Sequence, residues 1–233
     1  MKKGKKIYEG KAKIIFATED KNLVIQHFKD DATAYNNQKK DIIEGKGILN
    51  NRISEHILSN LNQVGIKNHL IKRINMREQL VKSLEIIPIE FIVRNIAAGS
   101  IVKTTHLSEG TLIQPPIVEF FLKDDSKNDP LLTPDRVRLM GHDPEPLITR
   151  TKEINYELQS LFTLMGIDLV DFKLEYGYDV HGDLFLADEL SPDNMRLWKR
   201  GTKERFDKDL FRKDEGDIVE AYKYILQHLR QFA

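Results

Sequence analysis

Residues 171–175, Asp-Phe-Lys-Leu-Glu, alternate charged and apolar side chains with a period of two. That period suits a β-strand and not a helix, because successive strand side chains point to opposite faces. Asp171, Lys173 and Glu175 then share one face, and Phe172, Leu174 and Tyr176 the other. After Gly177 and Asp179-Val180-His181-Gly182-Asp183, the run Leu184-Phe185-Leu186-Ala187-Asp188-Glu189 reads as a second strand behind a glycine turn. With His181-Gly182 as a two-residue turn, Val180 faces Asp183 and Glu175 falls opposite Asp188; a three-residue turn would bring Glu189 opposite Glu175 instead. Opposed carboxylates cost about 0.2–1 kcal/mol of pairing unless a cation lies between them. A hard, oxygen-preferring ion such as Mg2+ would turn the pair into a site. The other reading is a solvated hairpin face, and the alternation alone does not choose between them.

The chain of 233 residues is long enough for one large domain or two small ones. Its 36 basic residues balance 36 acidic ones, so no global field steers it toward nucleic acid or an anionic membrane. The lack of cysteine excludes disulfides, thiolate catalysis and cysteine-ligated metal sites, and fits a reducing compartment. Basic residues open the chain, but no secretory apolar run follows and no stretch approaches a membrane span, which gives a cytoplasmic expectation.

Residues 7–17 read as two short strands joined at Gly10 to Lys13, and 23–28 as a third. Between Gly47 and Gly65, Ile53, Ile57, Leu58, Leu61 and Val64 fall at helical spacing, with Gly65 placed to end the helix. Strands are expected at 69–74, 79–84 and 87–93, the last with Pro88 at an edge or first position. Residues 107–135 read as loop because of Pro115-Pro116 and the polar run 123–129, while 148–165 and 216–232 carry amphipathic helix patterns. The expected architecture is a β-rich lobe over 1–84 and a mixed α/β lobe over 85–233, with a cleft between.

Three constellations could carry chemistry. In Glu9-Gly10-Lys11-Ala12-Lys13 a glycine admits an anion to the backbone and two lysines offer point charges to phosphate, although a solvated lysine hairpin reads the same way and no P-loop pattern is present. From Pro88 to Ser100, Glu90 and Arg94 share a strand face near Gly99-Ser100, an arginine fork and a hydroxyl suited to phosphate or carboxylate; the alternative is an internal Glu90–Arg94 ion pair. In Ser191-Pro192-Asp193-Asn194-Met195-Arg196-Leu197-Trp198 the turn residues predict a loop that holds Arg196 near Asp188 and Glu189, with Trp198 a packing residue. The seven histidines show no metal-ligand spacing, and neither HExxH nor a nucleophile elbow occurs.

Taken together, Tyr8-Glu9-Gly10-Lys11-Ala12-Lys13, Gly45-Lys46-Gly47 with Asn50-Asn51, Pro88-Ile89-Glu90 through Arg94 to Ala98-Gly99-Ser100, Asp129-Pro130, Leu169 to Gly177, and Asp188-Glu189 through Ser191-Pro192-Asp193 to Arg196-Leu197-Trp198 resemble the SAICAR synthetase family over nearly the whole chain. Tyr176, where phenylalanine is frequent, and Asn36-Asn37, where a glycine is usual, depart from the pattern. The resemblance implies an α+β fold of two lobes, the β-rich N-terminal one kinase-like. It also implies an ATP-dependent ligase of purine biosynthesis that joins L-aspartate to carboxyaminoimidazole ribonucleotide (CAIR) through an acyl phosphate.

By that resemblance, Gly10, Lys11, Ala12 and Lys13 would cover the ATP phosphates, and the connection at Lys82, Leu84 and Ile86 would meet adenine. Glu175 and Asp188 would hold Mg2+. Glu90, Arg94, Ser100, Asp129, Asp171, Lys173 and Arg196 would bind the ribonucleotide, with Lys13, Lys173 and Arg94 as the catalytic assignments. A homodimer is a further implication. A kinase-like nucleotide-binding module without amide formation is the competing class; a kinase proper is disfavoured because no His-Arg-Asp loop and no Asp-Phe-Gly occur.

Overall fold

A computed structural model describes residues 2–34 and 38–232; Asn36 and Asn37 lie outside the described residues. The first part of the chain runs β1 (Lys6–Glu9), β2 (Lys13–Ala17), β3 (Leu23–Phe28), β4 (Asp31–Ala34), β5 (Lys39–Ile42), α1 (Lys46–Gln63), β6 (Leu70–Arg73), β7 (Glu78–Lys82) and β8 (Glu85–Ile86). It continues with β9 (Ile89–Ile96), α2 (Ser100–Thr104), β10 (Leu112–Leu122), β11 (Leu131–Leu132), α3 (Pro134–Leu139) and α4 (Pro144–Leu164). The last part is β12 (Ile167–Tyr178), β13 (Leu184–Ala187), β14 (Met195–Lys199), α5 (Asp209–Lys213) and α6 (Ile218–Leu229). This is the expected α+β composition.

The chain forms two compact units. The first comprises 1–87, 176–193 and 206–233, and the second 88–175 and 194–205. The chain crosses between the two units several times. One cause is the C-terminal helix: α6 packs against α1 and belongs with the first unit. Its Tyr222, Ile225, Leu226 and Leu229 are buried, as are Ile53, Ile57, Leu58 and Leu61 of α1. Each such side chain contributes about 1.5–3 kcal/mol, so neither helix would be stable facing water.

In the first unit the antiparallel sheet runs β1-β2-β3-β7-β6, with α1 against β3, β6 and β7. Gly65, at φ +84°, follows the helix end as its position predicts. The pair β4–β5 was not foreseen, since Asp31 to Ile42 shows no apolar alternation.

In the second unit β9 lies between β10 and β12, and β14 pairs β12 on its other side. Helix α4 covers β9 and β10. Pro88 immediately precedes β9, as expected of a strand's first position. The loop expected over 107–135 instead contains the eleven-residue strand β10. Pro115 and Pro116 fall where the β9–β10 register shifts, between Leu112 and Ile117, so their missing N–H groups cost no ladder bond. Trp198 is buried with Ala98 and Val170, in the packing role assigned to it.

Candidate functional site

The lysine turn comes first. Gly10 N–H donates to Lys13 O at 2.8 Å, which leaves Lys11-Ala12 as a two-residue loop between β1 and β2. Lys29 N–H donates to Ala12 O at 2.8 Å and braces the loop from β3. Lys11 is exposed and Lys13 half-buried. The Lys13 ammonium contacts the Asp188 carboxylate and lies 3.4 Å from Glu189 Oε1. In the same unit, Lys82 ends β7, with its ammonium 4.7 Å from the centre of the Phe185 ring. Leu84 and Ile86 follow it, and Gly177 comes so close that a Cβ there would lie 2.8 Å from Glu85 O.

Asp188 follows β13 at φ +64°, a left-handed conformation uncommon for a residue with a side chain and found disproportionately at functional sites. The hairpin that delivers it differs from the expected one. Asp179 N–H donates to Asp183 O and Gly182 N–H to Asp179 O, each at 3.0 Å. Asp179 Oδ1 accepts from His181 N and Asp183 N, and Gly182 has φ +81°. The turn thus has three residues, Val180-His181-Gly182, of the type that places glycine at a bulge. Asp179, not Val180, faces Asp183, so the two-residue register that put Asp188 opposite Glu175 does not hold.

Beyond Asp188 the segment turns inward. Leu190 N–H donates to Ser54 Oγ of α1 at 3.2 Å. Asp193 Oδ2 accepts from Lys46 Nζ at 2.5 Å, and Asp193 Oδ1 from Tyr222 Oη at 2.7 Å. Lys208 Nζ lies 3.9 Å from Asp193 Oδ2. Burial pushes the Asp193 carboxyl up, but the Lys46 and Lys208 charges and the Lys46 and Tyr222 hydrogen bonds outweigh it and hold the group below its ordinary value. Burial raises the Glu189 carboxyl, and Asp193 and Asp188 raise it further against the pull of Lys13 and Lys46.

The second unit carries the arginine constellation. Arg94 is 2% exposed. Its Nε donates to Glu119 Oε2 at 2.8 Å, its Nη1 to Asp171 Oδ2 at 3.0 Å and its Nη2 to Ser100 Oγ at 2.7 Å. Asp171 Oδ2 also accepts from Arg196 Nη1 at 2.7 Å. β-pairing explains the convergence, because Asp171 is the register partner of both Arg94 on β9 and Arg196 on β14. Arg196 therefore sits on a strand, not in the expected loop: the turn chemistry of Pro192-Asp193-Asn194 is used up before Met195. Glu90 accepts from Lys173 Nζ at 3.0 Å, which differs from the alternative of an internal pair with Arg94.

Lys173 further donates to Glu175 Oε1 at 2.6 Å, and the Lys123 ammonium contacts Glu175 Oε2. Glu90, Lys173, Glu175 and Lys123 thus alternate in charge along one face. Asp129, at φ +43°, accepts Asp124 N–H on Oδ1 at 2.9 Å and shapes its own loop.

Gly99 has a steric reason to be glycine. Its φ is +66°, and an added Cβ would lie 2.6 Å from Arg196 Nη2. Gly99→Ala is expected to displace the Arg196 guanidinium and to cost about 1–3 kcal/mol of backbone strain. Denaturant unfolding checks this; a wild-type unfolding free energy would show that Arg196 yields freely.

Residues 6–229 match the family model described as SAICAR synthetase. A phosphoribosylaminoimidazole-succinocarboxamide synthase from Pelagibacter ubique (strain HTCC1062) is 55% identical over 98% of this chain and 91% of its own. The crystal structure of a synthase of that name from Ehrlichia chaffeensis superposes with TM-score 0.93 at 47% identity, over 97% of this chain and 98% of its own. The chain belongs to the SAICAR synthetase family. A SAICAR synthetase structure in complex with ADP matches with TM-score 0.93 at 40% identity, over 96% of this chain and 97% of its own.

The residues expected of a SAICAR synthetase fall into one set per unit. Gly10, Lys11, Ala12, Lys13, Lys82, Leu84, Ile86 and Asp188 belong to the first, and Glu90, Arg94, Ser100, Asp129, Asp171, Lys173, Glu175 and Arg196 to the second. The Lys46, Tyr222 and Lys208 partners of Asp193 were missed, as was Glu119. A lysine in the first turn of an amphipathic helix ordinarily reads as solvated, and no local pattern marks Lys46 as buried.

For Mg2+, two carboxylates, one in each unit, are each of the right donor chemistry. Glu175 and Asp188 offer acceptor-only oxygens, and each already faces ammonium groups, Lys123 and Lys173 on one and Lys13 on the other. Among the described residues no group of three or more acidic or histidine side chains could hold a metal by itself. An ion bound by one or two carboxylates completes its shell with phosphate and water, the usual mode for Mg2+ on a nucleotide.

Proposed function

We propose that this protein is an ATP-dependent ligase of purine biosynthesis that joins L-aspartate to the carboxylate of CAIR, giving SAICAR, ADP and phosphate. The observation that carries the reading is the match of residues 6–229 to the SAICAR synthetase family, whose relatives of that activity reach 55% identity along nearly the full chain. The ADP complex of a relative supports a nucleotide site.

A free carboxylate is a poor electrophile, so ATP first supplies a leaving group. A CAIR carboxylate oxygen attacks the γ-phosphorus and ADP departs with the bond's electrons. The aspartate α-amine then attacks the acyl carbon, phosphate departs, and the nitrogen loses a proton. In such phosphoryl transfer the protein contributes positioning and charge neutralisation. In this reading the first unit handles nucleotide. Gly10, Lys11 and Ala12 cover the phosphates, Lys13 stabilises the charge being transferred, and Lys82, Leu84 and Ile86 lie at the adenine. Asp188 would offer its carboxylate to Mg2+, as would Glu175 of the second unit, and the ion would neutralise and orient the phosphates.

The second unit handles ribonucleotide. Arg196 and Ser100 face its anionic groups, Arg94 fixes both through Asp171 and Ser100, and Glu90, Asp129 and Lys173 make the remaining contacts. Lys173, between Glu90 and Glu175, is placed to steady the carboxylate that is phosphorylated. The family resemblance adds a cytoplasmic homodimer; no helix among the described residues is long and apolar enough to cross a membrane.

The deciding assay measures ADP release from ATP and Mg2+ with CAIR, with and without L-aspartate, and detects SAICAR directly. Aspartate-dependent SAICAR formation is expected, and ATP turnover without that product would leave only a nucleotide-binding module. Arg94→Lys keeps the charge but cannot bridge Glu119, Asp171 and Ser100 at once. It is expected to raise the Michaelis constant for CAIR about 10- to 100-fold, the loss of one or two charge-assisted hydrogen bonds. An unchanged constant would remove Arg94 from the site.

A further inference from the structure

Lys46 is buried to 0% exposure, and its ammonium pairs with Asp193, whose side chain is 3% exposed. An ion pair buried this deeply is a poor source of stability, since well-packed apolar residues often serve as well or better. What such a pair does supply is a defined geometry, and the geometry here leads to Asp188.

The contacts close a ring. The Lys11-Ala12 loop is braced through Ala12 O by Lys29 N–H at 2.8 Å. The carbonyls of Phe28 and Lys29 abut Gly47, where a Cβ would lie 2.7 Å and 2.8 Å from them. Gly47 N–H donates to Asp30 Oδ1 at 2.9 Å, and Asp30 takes Arg77 on both oxygens, so the start of α1 is pinned against the end of β3. The neighbouring Lys46 holds Asp193, and Ser54 of the same helix holds Leu190. Asp188 lies two residues before Leu190 and returns to Lys13 at the foot of the loop. The two arms that meet at Lys13 and Asp188 therefore hang from one element, the first turns of α1.

We propose that Lys46 is a positioning residue of the nucleotide site: through Asp193, itself steadied by Tyr222, it holds the 188–193 segment so that Asp188 is presented to the nucleotide's cation. The inference rests on the function proposed above. Groups that orient a metal's ligands typically change metal affinity or activity about 10- to 100-fold when removed.

The test compares wild type with Lys46→Met, the double variant Lys46→Met/Asp193→Asn, and Tyr222→Phe. The double variant removes both charges while the amide oxygen at position 193 still accepts from Tyr222, so the stability lost in Lys46→Met is expected to return in large part. Calorimetric ADP binding with and without Mg2+ is the main readout, accompanied by Tm and by CAIR affinity in the absence of nucleotide. The double variant is expected to bind ADP with Mg2+ at least about tenfold more weakly than wild type, with CAIR affinity unchanged and Tm above that of Lys46→Met. A double variant with wild-type Mg2+-dependent ADP binding overturns the proposal, because charge compensation alone was then the role of the pair. If it does not fold, Tyr222→Phe decides: a weakened Mg2+ effect on ADP binding supports the anchor, and a wild-type effect overturns it. Failure of the ligase reading is seen separately, as absence of SAICAR from the wild-type protein.

Discussion

Lys13→Met is expected to lower the turnover number for SAICAR formation about 10²–10³-fold, the usual cost of losing one preorganised electrostatic group at a transition state. Methionine keeps most of the unbranched stem, so the β1–β2 loop, held by Gly10 N–H on Lys13 O and by Lys29 N–H on Ala12 O, should keep its backbone course. What changes is charge. The Lys13 ammonium contacts Asp188 and lies 3.4 Å from Glu189, and it is one of the cations that oppose the upward push on the Glu189 carboxyl. Without it, burial and the neighbouring Asp188 and Asp193 meet less opposition from Lys46 and Lys208, and the Glu189 carboxyl is raised further. CAIR affinity measured without nucleotide should not move, because Arg94, Ser100, Asp171 and Arg196 belong to the other unit. A turnover number within about threefold of wild type would mean that no transition-state charge rests on Lys13.

How far these sites were legible depends on the sequence separation of their parts. The Asp171–Glu175 alternation announces a strand because its period is local, and Arg94 with Ser100 can be read together because the two lie six residues apart. The partner that organises them does not announce itself. Asp171 meets Arg94 across 77 positions, through a β9–β12 pairing that no local period encodes. The strand β10 was hidden for a different reason: Pro115-Pro116 signals an interruption, and an interruption inside a paired strand looks, in sequence, like a loop. The hairpin after β12 failed by a single residue. Gly182 fits a two-residue turn or a bulged three-residue one, and the choice falls to Asp179, whose carboxylate collects two backbone N–H groups. Lys46 was invisible because burying an ammonium is favourable only beside Asp193, which enters from 147 positions away.

That separation makes Asp193 the position where a one-atom change should cost most in stability. Asp193→Asn leaves the Lys46 ammonium buried without its counter-charge, and breaking a buried pair from one side costs about 3–5 kcal/mol. Tyr222 could still donate to the amide oxygen, and the packing volume is unchanged, so the loss reports charge and not a cavity. The pH dependence identifies its origin. The folded-state pKa of Asp193 is depressed, since Lys46, Lys208 and Tyr222 overcome burial, whereas in the unfolded chain it titrates at about 3.9. A depressed carboxyl stabilises the fold fully above its unfolded value, and that contribution is lost as pH falls from there through the folded value. The asparagine has no such contribution to lose. The gap in unfolding free energy between wild type and Asp193→Asn should therefore stay constant from neutral pH down to about pH 5 and then narrow below about pH 4. Urea unfolding of both proteins across that range measures it. A gap that stays constant into the acid range would mean that Asp193 is not the ionised partner of Lys46, and the anchor of the 188–193 segment would have to be sought in other contacts such as the Leu190–Ser54 and Lys208–Pro192 hydrogen bonds.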